Sequence, residues 1–418
     1  MPKFHQATNH SYLSVRKNAF FLDWQTQPST FKSYPHFYPR FKISDYEELE
    51  NLNLIGAITY SKEYPTGKHL LRSTPSAGAL YPCELYIQIR GIKGLLNGIY
   101  HYEPRSATLV LLHELNRDGV EYYFPKSNKQ KGLSFLISSI YFRSSWKYRD
   151  RAIRYILLDS GHQLGAIQAY CELQNSKSTI DFDFDKLALH DAFGFRKDEM
   201  FTASIGSTTP TDQEVSKLAQ SLPYVAGSDY LENNSSIEEA YNQSAIYEDN
   251  PIESLEFFRD IDRDILKEAI IKRRSIRAFR MQSISKEEFD FIMEGLVAFA
   301  SSHNIDLFYT IHRVKDMEQG LYQNGELISS GDFSQKSRYL SLEQNLGGQS
   351  AFTLYFSSSE VQKYQKVNIL SGFIAHIIYL RSTIKDIGCS GIGAYYDEET
   401  QEFLKTQNNI LYLLAVGR

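Results

Sequence analysis

Residues 72–82, RSTPSAGALYP, constrain the fold of this chain more than any other stretch. An alternating apolar run at 85–89 follows, and then GIYHYEP at 98–104. Proline and glycine beside a run of period two predict a turn that leads into a strand and then a hairpin. The small residues of the loop leave backbone N–H groups and a hydroxyl unobstructed, so the loop can lie flat against a planar ligand with polar edges. An ordinary turn before a strand has the same composition, and this stretch alone leaves both interpretations open.

Length and charge limit the class of protein. A chain of 418 residues predicts two to three domains, each large enough for its own core. The net charge is −5 and no basic block occurs, so we expect no nucleic-acid partner. The start, MPKFHQATNHSY, lacks the pattern of a signal peptide, and no apolar run approaches the roughly 20 residues that span a membrane. We therefore expect a cytoplasmic protein with no membrane segment.

Cysteine usage agrees with that location. Cys83, Cys171 and Cys389 are far apart, odd in number and without metal-ligand spacing. Three reduced thiols in a cytosolic protein are the expectation, and no metal site is predicted.

Three groups of motifs in the first half resemble one family. PSAGALYP, ELY and GIYHYEP are similar to the flavin-binding stretch of the SagB/ThcOx-type dehydrogenases of the nitroreductase superfamily, which bind FMN. Residues 146–162, WKYRDRAIRYILLDSGH, resemble the WKYxxRAxRYxxLDxGH stretch of that family. The opening HQATNH at 5–10, with LDW at 22–24 and QP at 27–28, resembles the N-terminus of the family. The resemblance implies FMN as the cofactor.

The second half carries different motifs of the same superfamily. RRSIRAF at 273–279 resembles the motif that opens nitroreductase domains, and GCSGIG at 388–393 with LYLLAVGR at 411–418 resembles the C-terminal motifs. GLY at 320–322 also repeats GIY at 98–100. We interpret the chain as two diverged copies of one fold.

The resemblance implies an α+β class in which a nitroreductase-like fold occurs twice. Each copy would be an antiparallel or mixed sheet flanked by helices, and the two would form an intramolecular pseudo-dimer in place of two subunits. We place the first domain at 1–210, a polar linker with at most short helices at 211–255, and the second domain at 256–418. Hydrophobic patterns and motifs predict helices near 45–54, 151–173, 262–271 and 369–384, and strands at 135–142, 201–206, 305–309 and 351–356.

The motifs divide between the halves in a complementary way. The second half keeps RRSIR and GIG but has only ASSHN, at 300–304, in the place of PSAGALYP. The first half keeps PSAGALYP but has only SVR, at 14–16, in the place of RRSIR, and NSKS, at 175–178, in the place of GIG. The resemblance therefore implies one complete composite site, one FMN per chain bound between the halves, and a degraded second site.

The same resemblance assigns the cofactor-binding residues. Guanidinium groups pair bidentately with phosphate and keep their charge. The phosphate candidates are Arg273, Arg274, Ser275, Arg277 and, as a further candidate, Arg418. Candidates for the isoalloxazine edge, through backbone N–H groups near N5 and O4, are Gly391, Ile392 and Gly393. Residues reaching across from the first half are Pro75, Ser76, Ala77 and Gly78. A solvated basic helix end is the alternative interpretation of RRSIRAF.

Lys147 and Tyr148 are the catalytic candidates. In azoline oxidases of the family a Lys-Tyr pair is implicated in taking a proton as hydride leaves for flavin N5. Lysine can act as a base only if desolvation or a neighbouring cation lowers its pKa, and four arginines crowd this stretch: Arg143, Arg149, Arg151 and Arg154. The alternative is an exposed Lys147 at a helix start with Tyr148 packed. The pair Lys363-Tyr364 lacks the flanking residues, and we interpret it as coincidental.

Two further polar positions have open roles. Asp159 and His162, one helical turn apart, suit either a proton pair or, more simply, a structural helix–helix hydrogen bond. His101 is expected on a strand near the pocket rim.

Three functional hypotheses follow. The first is an FMN-dependent dehydrogenase or oxidase of the azoline-oxidising type, acting on a heterocycle or a peptide-derived bond, with O2 reoxidising the flavin. The second is a nitro- or quinone reductase that uses NAD(P)H. The third is a degenerate, non-catalytic flavoprotein partner in a modification complex. Expected partners are a small-molecule or peptide substrate and other enzymes of a peptide-modification pathway, and further homodimerisation of the whole chain stays open.

Overall fold

The computed structural model describes residues 3–17, 21–64, 67–245, 248–253 and 256–418. The chain forms two compact units. The larger unit comprises residues 24–267, and the smaller unit comprises residues 1–23 together with 268–418.

The secondary structure alternates strands and helices. The strands are β1 Arg40–Lys42, β2 Ile58–Tyr64, β3 Gly67–Arg72, β4 Cys83–Arg90, β5 Gly98–Glu103, β6 Thr108–Glu114, β7 Asn128–Ile140, β8 Thr179–Asp181, β9 Glu199–Glu214, β10 Ile252–Glu253, β11 Asp306–Ile311, β12 Gly320–Gln323, β13 Glu326–Ser330, β14 Phe352–Ser358, β15 Gly388–Ile392 and β16 Asn409–Gly417. The helices are α1 Lys3–Ala7, α2 Tyr12–Lys17, α3 Tyr141–Tyr148, α4 Ala152–Leu173, α5 Lys186–Ala192, α6 Ser235–Ser244, α7 Arg263–Lys272, α8 Lys286–Met293, α9 Leu296–Ser302, α10 Ser334–Leu340, α11 Asn345–Gln349, α12 Tyr364–Ile384 and α13 Asp397–Leu404.

An eight-stranded sheet organises the larger unit, in the order β1-β6-β5-β4-β7-β9-β8-β10, with β2 and β3 as a separate ribbon. All its neighbouring strands are antiparallel. Helix α4 packs on β4, β7 and β9 and also contacts α6 and the turn Leu52–Ile55. Because it has neighbours on several sides, α4 is buried along almost its whole length and not only along one stripe.

A six-stranded antiparallel sheet organises the smaller unit, in the order β13-β12-β11-β14-β16-β15. Helix α12 packs on β15 and β16 and contacts α8 and α9. Among the described residues α12 is the one helix long and apolar enough to cross a membrane, but 89% of the relevant window is buried inside the structure. Such burial is typical of a core helix.

The two sheets repeat one connectivity. Strands β4 to β9 and strands β11 to β16 are arranged in the same way. The first of the six strands lies centrally, with the second and third next to it on one side. On the other side follow the fourth, the sixth and the fifth strand, in that order. In both, a long helix joins the fourth and fifth strands and a shorter one joins the fifth and sixth. The long helices also carry a Ser-Gly pair at the same distance from their last residue, Ser160-Gly161 and Ser371-Gly372. The predicted α+β fold, with sheets flanked by helices, is confirmed.

The secondary-structure predictions were partly confirmed and partly wrong. The long helices and the strands of the second half form within a few residues of the predicted ranges. The helix predicted at 45–54 is wrong, because this segment consists of separate 3₁₀ turns at Ile43–Asp45, Glu47–Leu49 and Leu52–Ile55. The strand predicted at 135–142 ends at Ile140, directly before α3, and the strand predicted at 201–206 is part of the first half of the longer β9.

The predicted linker, 211–255, contains ordered structure. It begins within β9 and includes α6, whose N-cap Asn234 accepts a hydrogen bond from the Ile237 N–H through its side chain. Its residues 246–247 and 254–255 lie outside the described residues. The domain boundaries at 210 and 256 stay a prediction.

Candidate functional site

The loop at 72–82 has an unusual backbone. Gly78, Ala79 and Tyr81 have φ values of 64°, 55° and 47°, in the left-handed region that only glycine adopts without cost. Such strain persists only where surrounding contacts enforce it, and it concentrates at functional sites. The loop is therefore a specifically held structure and differs from an ordinary turn.

Asp159, on α4, holds this loop. The Ser76 hydroxyl donates to Asp159 Oδ2 at 2.6 Å, and the Ala77 N–H donates to Oδ1 at 3.2 Å. Ser76 Oγ also accepts from the Tyr81 N–H at 2.9 Å. Burial raises the pKa of Asp159 to about 7, against the opposing effect of the two hydrogen bonds. The helix–helix bond expected for Asp159 is thus wrong, since its hydrogen bonds go to the loop.

The loop and the Lys-Tyr pair meet at Gly78. A Cβ atom placed on Gly78 would lie 2.6 Å from Tyr148 Oη and 3.3 Å from Lys147 Nζ. The backbone of Gly78 therefore faces the polar ends of both catalytic candidates, at an approach that no side chain would permit. Two motifs recognised separately in the sequence form one cluster in the larger unit.

Lys147 and Tyr148 are the last residues of α3 and are half-buried, so the alternative of an exposed lysine at a helix start is wrong. Lys147 Nζ lies 5.2 Å from the ring centroid of Trp24 and 5.4 Å from that of Tyr148. Trp24 in turn packs edge-to-face on Trp146, with 5.6 Å between ring centroids. Two aromatic rings thus lie beside the lysine head, and Trp24 is itself 59% exposed.

Arg143 does not provide the neighbouring cation that the sequence suggested. Its Nη1 donates to Glu84 Oε1 at 2.6 Å and to the Tyr81 carbonyl at 2.9 Å. Burial alone would raise the pKa of Glu84, but Arg143 and His101 outweigh it and lower that pKa to about 2. His101 Nε2 lies 2.8 Å from Glu84 Oε2, and the imidazole is buried. His101 is thus part of a buried ion-pair cluster under the loop and does not lie at a pocket rim.

In the smaller unit, Tyr379 joins the two predicted flavin motifs. Its hydroxyl on α12 lies 2.9 Å from Ser275 Oγ and accepts the Gly391 N–H at 2.7 Å. The Ile276 N–H donates to the Cys389 carbonyl at 3.1 Å, so the backbones of the motifs also touch. Burial raises the pKa of Tyr379 to about 12, which keeps this hydroxyl protonated.

The arginines of RRSIR differ in exposure. Arg273 is buried, with its guanidinium 5.4 Å from the Tyr379 ring centroid. Arg274 Nη1 donates to the carbonyls of Ile271 and Arg273, at 2.9 and 2.6 Å, and Arg277 is exposed. RRSIR is therefore more than a solvated basic helix end.

Arg418 is held by another side chain. Its Nη1 and Nη2 donate to both carboxylate oxygens of Glu288, at 3.1 and 2.6 Å. This pairing raises the pKa of Arg418 and lowers that of Glu288. Contact of Arg418 with a phosphate requires the guanidinium to leave this bidentate pair.

The GIG loop lies at the end of β15. The Gly391 N–H is donated to Tyr379, and a Cβ on Gly391 would lie 1.8 Å from Tyr412 Oη. The Ile392 side chain packs in the core of the smaller unit. Gly391 is therefore required for packing, and its N–H already has an acceptor.

The residues present fit a flavin mononucleotide. Guanidinium groups beside a serine hydroxyl, as at residues 273–277, are the donors that suit a phosphate monoester. Each assigned residue, and the single composite FMN site, stays a prediction. The described residues contain no group of three or more His, Cys, Asp or Glu side chains that could hold a metal ion.

Sequence reasoning missed Tyr379, Tyr412 and Glu288. Tyr379 and Glu288 lie outside the recognised motifs and contact them only through the fold; Tyr412 lies within LYLLAVGR, but the fold alone places it beside Gly391. The LDSGH motif did single out Asp159, but its spacing gave no sign that the carboxylate bonds to a loop 83 residues earlier.

Comparison with known proteins identifies part of the chain. Residues 270–418 match the model of the nitroreductase family. The smaller unit therefore contains a nitroreductase-family domain. A crystal structure of an Anabaena variabilis protein named as a nitroreductase superposes with a TM-score of 0.81, covering 99% of this chain and 98% of that one, at 21% identity. At that identity the nitroreductase likeness concerns the fold.

Two curated relatives match shorter stretches. A Methanocaldococcus jannaschii protein named as a nitroreductase is 30% identical over 103 residues, 23% of this chain. The trifolitoxin-processing protein TfxB of Rhizobium leguminosarum bv. trifolii is 33% identical over 112 residues, 24% of this chain. The chain spans 50% of the first relative's length and 29% of the second's.

Proposed function

We propose that the protein is an FMN-dependent oxidoreductase that removes two electrons from a heterocycle or a peptide-derived substrate, as azoline oxidases do. The observation that carries the proposal is that the Cβ position of Gly78, in a loop held by Asp159, lies 2.6 Å from Tyr148 Oη and 3.3 Å from Lys147 Nζ.

The proposed cofactor contacts fall in two groups. Arg273, Ser275 and Arg277 would bind the phosphate, with Arg274 and Arg418 as further donors, and residues 391–393 would hold the ring edge. The loop at 75–78 and the Lys-Tyr pair, in the larger unit, contact the ring or the substrate. When bound, FMN supplies the two-electron chemistry.

Lys147 has the role of proton acceptor. Oxidation of an azoline ring turns its C–C single bond into a double bond: one hydrogen leaves as a hydride and one as a proton, and that proton needs a base. Lys147 can accept it only as a neutral amine. Tyr148 and the Gly78 backbone fix the position of the amine, and Asp159 fixes the loop.

The substrate class is supported by one relative. TfxB is named for the processing of trifolitoxin. We infer that this protein likewise modifies a peptide, in the cytoplasm and alongside other enzymes of a modification pathway.

Flavin counting and a matched pair of variants test the proposal. We expect one FMN per chain after heat release. The variant Lys147→Ala should keep FMN but lose anaerobic flavin reduction by a thiazoline-containing peptide, since the proton then has no acceptor. Lys363→Ala removes the lysine of the other Lys-Tyr pair, at the start of α12, and should reduce flavin like the wild type. Retained reduction in Lys147→Ala would refute the assignment of the base, and two FMN per chain would refute the degraded second site.

A second candidate is a nitro- or quinone reductase, which the Methanocaldococcus relative favours by its name. It predicts rapid anaerobic bleaching of the flavin by NADH or NADPH, with no response to the thiazoline peptide. Failure to take up added FMN would instead favour the non-catalytic partner.

A further inference from the structure

We propose that the larger unit contains a second binding site, for an organic cation that carries an ammonium or guanidinium group. The site is a cavity of about 530 Å³ between the sheet and the segment at 249–253. None of the residues proposed for FMN or for proton transfer lines it.

The floor of the cavity is one face of the sheet formed by β7, β8 and β9. Ser134 pairs with Gly206, and Gly206 pairs with Thr179, so these residues lie side by side. Alternate residues share a face, and Leu136, two positions from Ser134, packs in the apolar core. The sheet face thus changes from apolar to small polar side chains, which leaves the cavity open in the folded state.

The walls carry more carboxylates than cations. The acidic lining residues are Glu121, Asp181, Asp183, Asp249 and Glu253. The lining contains one cation, Lys126. The cavity therefore has a strong negative potential for its size.

Nearby cations neutralise only part of this charge. Arg90 forms a buried ion pair with Glu121 Oε1, while Glu121 Oε2 is buried without a hydrogen-bond partner among the described residues. Lys186 Nζ donates to the carbonyls of Phe182 and Ala245, at 2.7 and 3.1 Å, and burial lowers its pKa to about 7. Lys186 is therefore only partly charged near neutral pH.

Asp181, on β8, is one of the carboxylates that line the cavity. Burial, followed by the charges of Asp183 and Glu253, raises its pKa to about 6 in spite of Lys126. The described residues give the carboxylate side chain of Asp181 no hydrogen bond or ion pair. A bound ammonium or guanidinium would supply both the charge and the donors that this carboxylate lacks.

Size and lining define the ligand class further. Small-molecule sites typically occupy about 300–1,000 Å³ and combine apolar walls with a few polar anchors. Here Val120, Phe124 and Pro210 provide apolar contact beside the carboxylates. An aliphatic stem with a cationic head, such as agmatine, arginine or a basic side chain of a peptide, meets both conditions.

Calorimetric titration of the full-length protein with agmatine at about pH 8, where Asp181 is ionised, tests the site. We expect saturable binding that weakens at least about tenfold in Asp181→Asn, because one charge-assisted contact is lost. Ser134→Leu should abolish binding by filling the floor. Glu114 is an exposed carboxylate of β6 outside the cavity, so Glu114→Gln should bind agmatine like the wild type. The FMN content should be unchanged in every variant. Succinate, a dianion of similar length, should not bind.

The absence of saturable binding to the wild type up to about 10 mM agmatine would overturn the proposal. So would equal affinity in the wild type and Asp181→Asn, or an equal loss in Glu114→Gln, since either would indicate surface attraction. If Ser134→Leu does not fold, the affinity of the isosteric variant Asp181→Asn still tests whether agmatine binds in this cavity. Because the readout is agmatine binding, its outcome is independent of flavin-dependent activity.

Discussion

The buried carboxylate of Asp159 gives a quantitative prediction. Its pKa is raised from 3.8 to about 7 in the folded protein, so between these values the native state holds a proton that the unfolded chain has released. Stability must therefore fall as the pH rises through this window. One pKa unit corresponds to about 1.4 kcal/mol, so the whole shift amounts to about 4 kcal/mol, of which about 3 kcal/mol is lost between pH 5 and pH 8.5.

The substitution Asp159→Asn isolates this effect. The amide does not titrate, so the free energy of unfolding of the variant minus that of the wild type should rise by about 3 kcal/mol from pH 5 to pH 8.5. Urea unfolding at both pH values measures the difference and cancels the other titrating groups. Asp212→Asn, an exposed aspartate on β9, should show no such change. A difference that is flat within about 0.5 kcal/mol would refute the argument that burial of Asp159 outweighs its hydrogen bonds to Ser76 and Ala77.

The remaining predictions concern the other contacts of the two motif clusters. Tyr379→Phe leaves the Gly391 N–H without its acceptor, which costs about 1–3 kcal/mol, so the FMN affinity measured by fluorescence titration should fall about tenfold. Unchanged affinity would contradict a link between this contact and the flavin. Gly78→Ala should keep FMN but lower kcat/KM at least about tenfold, since the added Cβ displaces Tyr148 and strains a backbone at φ 64°; wild-type turnover would count against close approach. Glu288→Gln should tighten FMN binding several-fold by releasing Arg418, whereas Arg418→Ala should weaken it; equal affinities in the two variants would remove Arg418 from the phosphate site.

The family resemblance implied the α+β class, and the sequence by itself determined the presence of the two long helices and the positions of the motifs. These features are local: a run of apolar residues of helical length predicts α4 and α12, and the glycines mark positions where a side chain cannot fit. The resemblance of the two halves also anticipated strands that the structure arranges with one connectivity, although the weak helix signal at 45–54 gave way to 3₁₀ turns.

The tertiary structure decided which groups touch. Ser76 meets Asp159 across 83 residues, and Ser275 meets Tyr379 across 104. Neither pair has a periodicity that a sequence could display, because the contact depends on how a helix packs against a sheet. The same holds for the pKa of Asp159 and for the acidic cavity beside β8, since burial and the summed charge of distant residues exist only in the folded chain.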